Sequence, residues 1–375
     1  MAEENGRWVT IHGTHVFIKR GETLDDAIAR LSDNEDRPNY IHIQKAKYGY
    51  YWDKIIREDD LESYEIEGWF KHREQPDMVE ALDFVDNIDI EGRDVDNIME
   101  ELYSKYRFSY VREFLKGKLE ERIAEYQEKL AKRFLSDSAM HSGRHLMSES
   151  IALDTNPNYE ESRKLRLQGS HDREAANYTL NCQRCVQAFV LKWCHGYDVE
   201  AMPCDRVWSD KEKAFVKGPL DQRLSWYTAK NGYKTLKNGS ASYYNNWQCA
   251  IFNAADVRET HVDAYDIERE IGYAGTEDQY RWIKRTVKAA GPGACYIACV
   301  SWKGTRDDTG RYDAHVFCII NENGKVKCID PQTGVECSEY FTDKQIKSNR
   351  TELFRADTCR LNGVMMGEIV KKWKH

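Results

Sequence analysis

The chain has 375 residues, 41% of them hydrophobic, with 63 acidic against 55 basic side chains and a net charge of −8. That length suits two domains, and the acidic balance argues against a nucleic-acid phosphate backbone as partner. No stretch approaches the ~18 consecutive apolar residues of a membrane span. The opening MAEENGRWVTI has no basic segment followed by an apolar run, so no secretory signal is expected; synthesis in the cytoplasm is.

Eleven cysteines make an odd number, scattered without the even framework of a small secreted domain. They read mostly as reduced thiols. Cys299, Cys318 and Cys328 lie in apolar strand-like runs, where cysteine serves as a small hydrophobe.

In chain order, residues 8–19 (WVTIHGTHVFIK) predict two short strands around a turn at His12-Gly13. Leu24, Ala27, Ile28 and Leu31 follow the spacing of an amphipathic helix, with Thr23 available to cap it. Residues 40–95 are acidic, with aromatic strand-like patches such as YGYYW, and carry no recognisable chemistry. Over 96–135, Leu115, Leu119, Ile123, Tyr126, Leu130 and Phe134 form an apolar stripe with charged residues on the other faces, which predicts a long, largely solvated helix. Residues 136–180 are weakly patterned, with a turn at Asp154-Thr155-Asn156-Pro157-Asn158. The expected organisation is a small N-terminal α/β module over 1–95, a helical connector over 96–150, and a domain carrying the chemistry over 151–375.

The chemistry begins at NCQRCVQAFVLKWCHG, residues 181–196. Val186, Phe189, Val190 and Trp193 make one helical face and Gly196 is a natural stop. Cys182 then falls in the first turn, where unpaired N–H groups and the helix dipole favour a thiolate. Cys185 lies one turn further in. A zinc site would need a second ligand pair of similar spacing, and no other C-x-x-C exists. A thioredoxin-type redox site would need a buried strand running into the motif, and the preceding SHDREAANYTLN is polar. Both cysteines as packing residues is the plain alternative.

Further on, GPGACYIACVSW (residues 291–302) reads as a glycine-rich turn and a buried strand. The polar KGTRDDTGRYDA follows as a loop. HVFCIINENGKVKCIDPQTG then reads as a hairpin around NENG, closed by a second turn. A turn at Glu322-Asn323 sets His315 directly across from Asp330. A turn at Asn323-Gly324 sets it across from Gln332, with Asp330 its diagonal neighbour on the same face. Either register joins an imidazole to a carboxylate, the base and its orienter.

Taken together, NCQRC opening a helix, GYDVEAMP, GPGACYIACVSW, AHVF and KCIDPQTG resemble the papain-fold toxin domain of the glutamine-deamidase type, over roughly residues 175–340. The resemblance implies an α+β papain-like cysteine hydrolase fold, with the cysteine helix packed on an antiparallel sheet bearing the histidine and aspartate. It implies Cys182 as nucleophile, His315 as base and Asp330 as third member, with no cofactor and no metal. The Cys182 N–H is one oxyanion donor by geometry; Asn177 and Gln332 are candidates for a second. Residues 205–275 match nothing in the pattern.

The implied partner is a protein substrate bearing a reactive glutamine or peptide amide, and an immunity or inhibitor protein would be a further one. The same triad would serve a papain-like protease or isopeptidase. RWVTIHGTHVFIKRG and TNPNY resemble stretches of prophage-encoded proteins, which implies a mobile-element or effector setting. A non-enzymatic prophage structural or adaptor protein, with an idle papain-like scaffold, is the reading from another class.

Overall fold

The computed structural model describes residues 6–11, 14–32, 40–47, 50–67, 69–71, 83–90, 93, 95–105, 109–136, 147–232, 247–272, 275–306, 312–341 and 351–372. The chain forms two compact units, Met1–Ile123 and Ala124–His375, and the division falls inside the helix Ser109–Leu135. Among the described residues no helix is long and apolar enough to cross a membrane.

In the first unit, strands Gly6–Ile11 and Thr14–Lys19 pair antiparallel; the expected turn at His12-Gly13 lies outside the described residues. The helix Leu24–Ser32 follows. Thr23 Oγ1 accepts from the Asp26 N–H at 3.2 Å, the anticipated cap. The aromatic patches form the hairpin Tyr40–Lys47 and Tyr50–Arg57. The long helix foreseen over 96–135 is instead two helices, Val95–Lys105 and Ser109–Leu135. Ile98, Leu102, Leu115 and Leu119 bury their side chains in one cluster with Val85 and Ile88.

The second unit is built on a six-stranded antiparallel sheet. Its spatial order is Val335–Glu336, Lys325–Asp330, Tyr312–Glu322, Cys295–Arg306, Glu352–Arg355, Val262–Asp263. The two central strands reach into the stretch expected to be a polar loop; residues 307–311 of it lie outside the described residues.

Alternation along the strands sorts their side chains onto two faces. Cys295, Ile297, Cys299, Val316, Cys318 and Ile320 join the core that includes the helix Cys182–His195. Tyr296, Ala298, Val300, Phe317 and Ile319 join the core made with the helices Ala264–Ile271 and Thr276–Ala289.

The cysteine helix differs from a one-faced amphipathic helix. Every residue from Arg184 to Lys192 is buried, because the helix is covered on all sides. Its buried polar residues take specific partners, as burial demands, with Arg184 Nη2 left without one among the described residues. Arg184 donates to Asp221 Oδ1 at 3.1 Å and to the Glu368 carbonyl at 2.9 Å, and its guanidinium lies 4.3 Å from the Trp247 ring centre. Gln187 donates to the Trp247 carbonyl and accepts from the Ile251 N–H. Lys192 pairs with Asp198 at 3.1 Å. Gly196 ends the helix in the left-handed conformation, φ 71°, and the N–H groups of Gly196 and Tyr197 close on the carbonyls of Lys192 and Leu191.

Residues 136–180 hold more structure than their pattern suggests: short helices at Ser148–Leu153, Tyr159–Leu167 and Arg173–Asn177. They were illegible because each is too short to repeat an apolar period. The turn at residues 154–158 is present.

Phe189 is fully buried between helix and sheet. Phe189→Ala should lower the stability of this unit by ~3–5 kcal/mol, read as a lower urea midpoint. A loss under about 1 kcal/mol would mean that the helix is not held by this core.

Candidate active site

The hairpin turn decides the site's register. Glu322 pairs with Lys325 and Cys318 with Ile329, which places the turn at Asn323-Gly324, the second of the two registers. Both turn residues have positive φ, 54° and 89°. That is the signature of the turn whose twist matches the flanking strands, and Asn-Gly is its favoured sequence. Asp330 leaves the ladder two residues before Gln332 and pairs next with Val335. Its carboxylate meets the imidazole diagonally: His315 Nε2 lies 2.9 Å from Asp330 Oδ2.

Asp330 is 1% exposed, so its charge must be met by donors. Oδ2 accepts from Tyr340 Oη at 3.1 Å as well as facing His315, and Oδ1 accepts from the Gln332 N–H at 3.0 Å. Burial alone raises an aspartate pKa. Here the charge and hydrogen bond of His315, with the Gln332 N–H and the Tyr340 hydroxyl, outweigh it and hold Asp330 below its usual value. For His315 the balance has the opposite sense. Burial pushes the imidazole down, but the Asp330 carboxylate and then the Cys182 side chain, by hydrogen bond and charge, carry it well above its usual range.

With Nε2 on Asp330, Nδ1 is the ring nitrogen left for the Cys182 sulfur. Trp302 lies nearly parallel to the imidazole, ring centres 6.0 Å apart. Tyr340 stands edge-on to both rings.

Cys182 is the first residue of its helix and is half-buried. Asn181 occupies the cap position, where asparagine ordinarily accepts from the second or third N–H. Its side chain makes no such bond. The Asn181 carbonyl takes the N–H groups of Arg184 and Cys185. No described residue accepts from the N–H of Cys182 or Gln183. Two donors therefore stay open beside the sulfur, at the positive end of a helix dipole. Cys185, one turn on, has no exposed surface. Burial, then the charges at Cys182 and Asp330, push its thiol well up, so it remains a protonated packing residue.

The two candidates for a second oxyanion donor are placed elsewhere. Asn177 ends the helix Arg173–Asn177, and its amide donates to the carbonyls of Cys204 and Arg173 at 3.3 and 3.0 Å. Gln332 is buried and donates to Asn181 Oδ1 at 3.3 Å. Asn181 in turn donates to Asn156 Oδ1 at 3.1 Å, and Asn156 donates to the Gln332 carbonyl at 2.9 Å. This buried amide cluster ties the residue before Cys182 to the turn that carries Asp330.

Asn156, Asn181, Trp302 and Tyr340 were missed by sequence reasoning as site residues. Asn156 lies in TNPNY and Asn181 in NCQRC, where the asparagine before the cysteine was a usable signal. Trp302 and Tyr340 gave none. Among the described residues no group of three or more His, Cys, Asp or Glu is set to hold a metal ion.

A thiol at a helix start and a His–Asp pair on an antiparallel sheet thus meet in an α+β domain. Residues 180–335 match the family model described as papain fold toxin 1, glutamine deamidase, and this match supports a papain-fold toxin domain over that segment. No curated protein and no solved structure matches the chain.

The pair's effect on stability has a defined window. His315, raised in the folded chain, contributes fully below its unfolded pKa of about 6.5 and loses that contribution as pH rises through its folded value. Asp330, lowered, contributes fully above its unfolded value of about 3.9 and loses it as pH falls through its folded value. Asp330→Asn should therefore cost most stability between about pH 4 and 6.5, and NMR titration should find its His315 returned toward the usual imidazole range. An unchanged His315 titration would show that Asp330 does not set the ring's charge.

Proposed function

We propose that the chain is a cysteine-dependent amide hydrolase that deamidates glutamine side chains of a protein substrate, with Cys182 as nucleophile, His315 as base and acid, and Asp330 as orienter. The observation that carries this reading is the His315–Asp330 bond at 2.9 Å, with Cys182 on the remaining side of the ring at a helix start whose first N–H groups are open.

The steps balance on these groups. His315 takes the Cys182 proton, and the sulfur attacks the carboxamide carbon. The N–H groups of Cys182 and Gln183 meet the oxygen as it gains charge, each such donor being worth ~3–4 kcal/mol in related sites. His315 gives its proton to the nitrogen, the C–N bond breaks and ammonia departs. Water then attacks the thioester, yielding its proton to His315, which returns it to the sulfur as glutamate is released. Asp330 keeps the ring aligned and balances its charge throughout.

The open helix start replaces a side-chain donor in this scheme. Gln332 buttresses the site through Asn181, and Asn177 takes no part.

The test is incubation of the full chain with a protein mixture, followed by peptide mass spectrometry. Glutamine-to-glutamate conversion and ammonia release are expected, absent in Cys182→Ala and lowered ~10²–10⁴-fold in His315→Ala. Cys185→Ala should retain the conversion and lose stability only. New peptide termini without glutamate formation would make the chain a protease instead. Conversion that persists in Cys182→Ala would remove the nucleophile from this account.

A further inference from the structure

Asp330 Oδ2 has two partners. One is His315 Nε2 at 2.9 Å and the other is the Tyr340 hydroxyl at 3.1 Å. Tyr340 belongs to the single helical turn Ser338–Tyr340. Its N–H bonds to the Cys337 carbonyl at 3.0 Å, and the Cys337 N–H bonds to the Cys328 carbonyl at 2.8 Å. The tyrosine is thus anchored to the strand that carries Asp330, two residues upstream of it. Its ring is fixed by edge-on contacts with Trp302 and Phe317, at 5.1 and 5.6 Å. It reaches the carboxylate only through its oxygen, and no substrate atom is needed to explain its placement.

We propose that Tyr340 is a positioning residue that acts through Asp330 on His315. Its O–H fixes the oxygen aimed at Nε2 and draws off part of the carboxylate charge that would otherwise fall on the imidazole. The inference rests on the roles given above to His315 and Asp330.

The sign follows from sharing one acceptor. A carboxylate oxygen that already accepts one hydrogen bond is a weaker acceptor for the next, so removing the hydroxyl strengthens the bond to Nε2. His315 then holds its proton more tightly and gives it up less readily to the departing nitrogen. Burial and then the Asp330 charge push the Tyr340 phenol up, so it remains a protonated donor through the working pH range. The titratable groups acting on His315 are Asp330 and Cys182. Those acting on Asp330 include His315 and Tyr340, and Tyr159 and Cys185 feel its charge.

The experiment compares the full chain with Tyr340→Phe, alone and in an Asp330→Asn background. In Tyr340→Phe the Nε2–H resonance of His315 should move downfield and its titration upward, with kcat for amide hydrolysis lowered about 10-fold and KM unchanged. In the Asp330→Asn background the same change should do nothing further to the resonance or to kcat, because the shared oxygen is gone. A tyrosine that only fills space would leave the His315 resonance and kcat unchanged in both backgrounds, because phenylalanine keeps the ring; that result overturns the proposal. An upfield shift overturns it too. The resonance is read without substrate, so a chain lacking amide hydrolysis would refute the proposed reaction and still leave Tyr340 judged by the spectrum.

Discussion

A carboxylate buried almost completely is the constraint around which this site is organised. Taking an ionised aspartate out of water costs several kcal/mol unless donors replace the lost hydration. Asp330 obtains three from three directions: the imidazole of the neighbouring strand, a backbone N–H of its own turn, and a tyrosine hydroxyl from the segment that follows. Each donor fixes a piece of chain. The imidazole is drawn to one orientation, the Asp-Pro-Gln-Thr-Gly turn is folded back on its own carboxylate, and the turn holding Tyr340 is tied to that carboxylate. Charge compensation and the orientation of His315 are here the same set of bonds.

The cysteine helix meets that arrangement through amides. Asn181, at the position from which an asparagine would ordinarily cap its helix, turns its side chain toward Asn156 and Gln332. Two consequences follow from one rotation. The start of the helix is tied to the turn bearing Asp330, and the first N–H groups are left without an acceptor among the described residues. A capped helix would be more stable by about 1 kcal/mol. In the proposed reaction the uncapped one keeps donors for a charge that exists only in the transition state, which is where such donors lower a barrier.

The parts of this legible in the sequence were those encoded by local rules. Asn323-Gly324 marked the hairpin because few residues tolerate positive φ, and the hairpin brought His315 and Asp330 together in either register. Gly196 marked the helix stop for the same reason. What was not legible was set by the partners of each group. Arg184 and Lys192 lie off the apolar face of Val186, Phe189, Val190 and Trp193, yet are buried with Asp221 and Asp198. Gln332 carried the right functional group for an oxyanion donor, yet its amide is turned to Asn181. Asn177 is turned to the carbonyls of its own neighbourhood. Tyr340 lay in a polar stretch, CSEYF, with no period to announce it. Residue type predicts what a side chain can donate, and only the fold decides to whom.

The central claim is that Cys182 is an activated thiol because His315 stands beside it. Site-resolved iodoacetamide labelling at about pH 6, where ordinary thiols of pKa ~8.5 stay protonated, tests it directly in wild type and His315→Ala. The account predicts that Cys182 labels fastest of the eleven cysteines and that the histidine substitution slows it to the rate of the others. Labelling of Cys182 no faster than the rest, or equally fast without His315, would contradict the account.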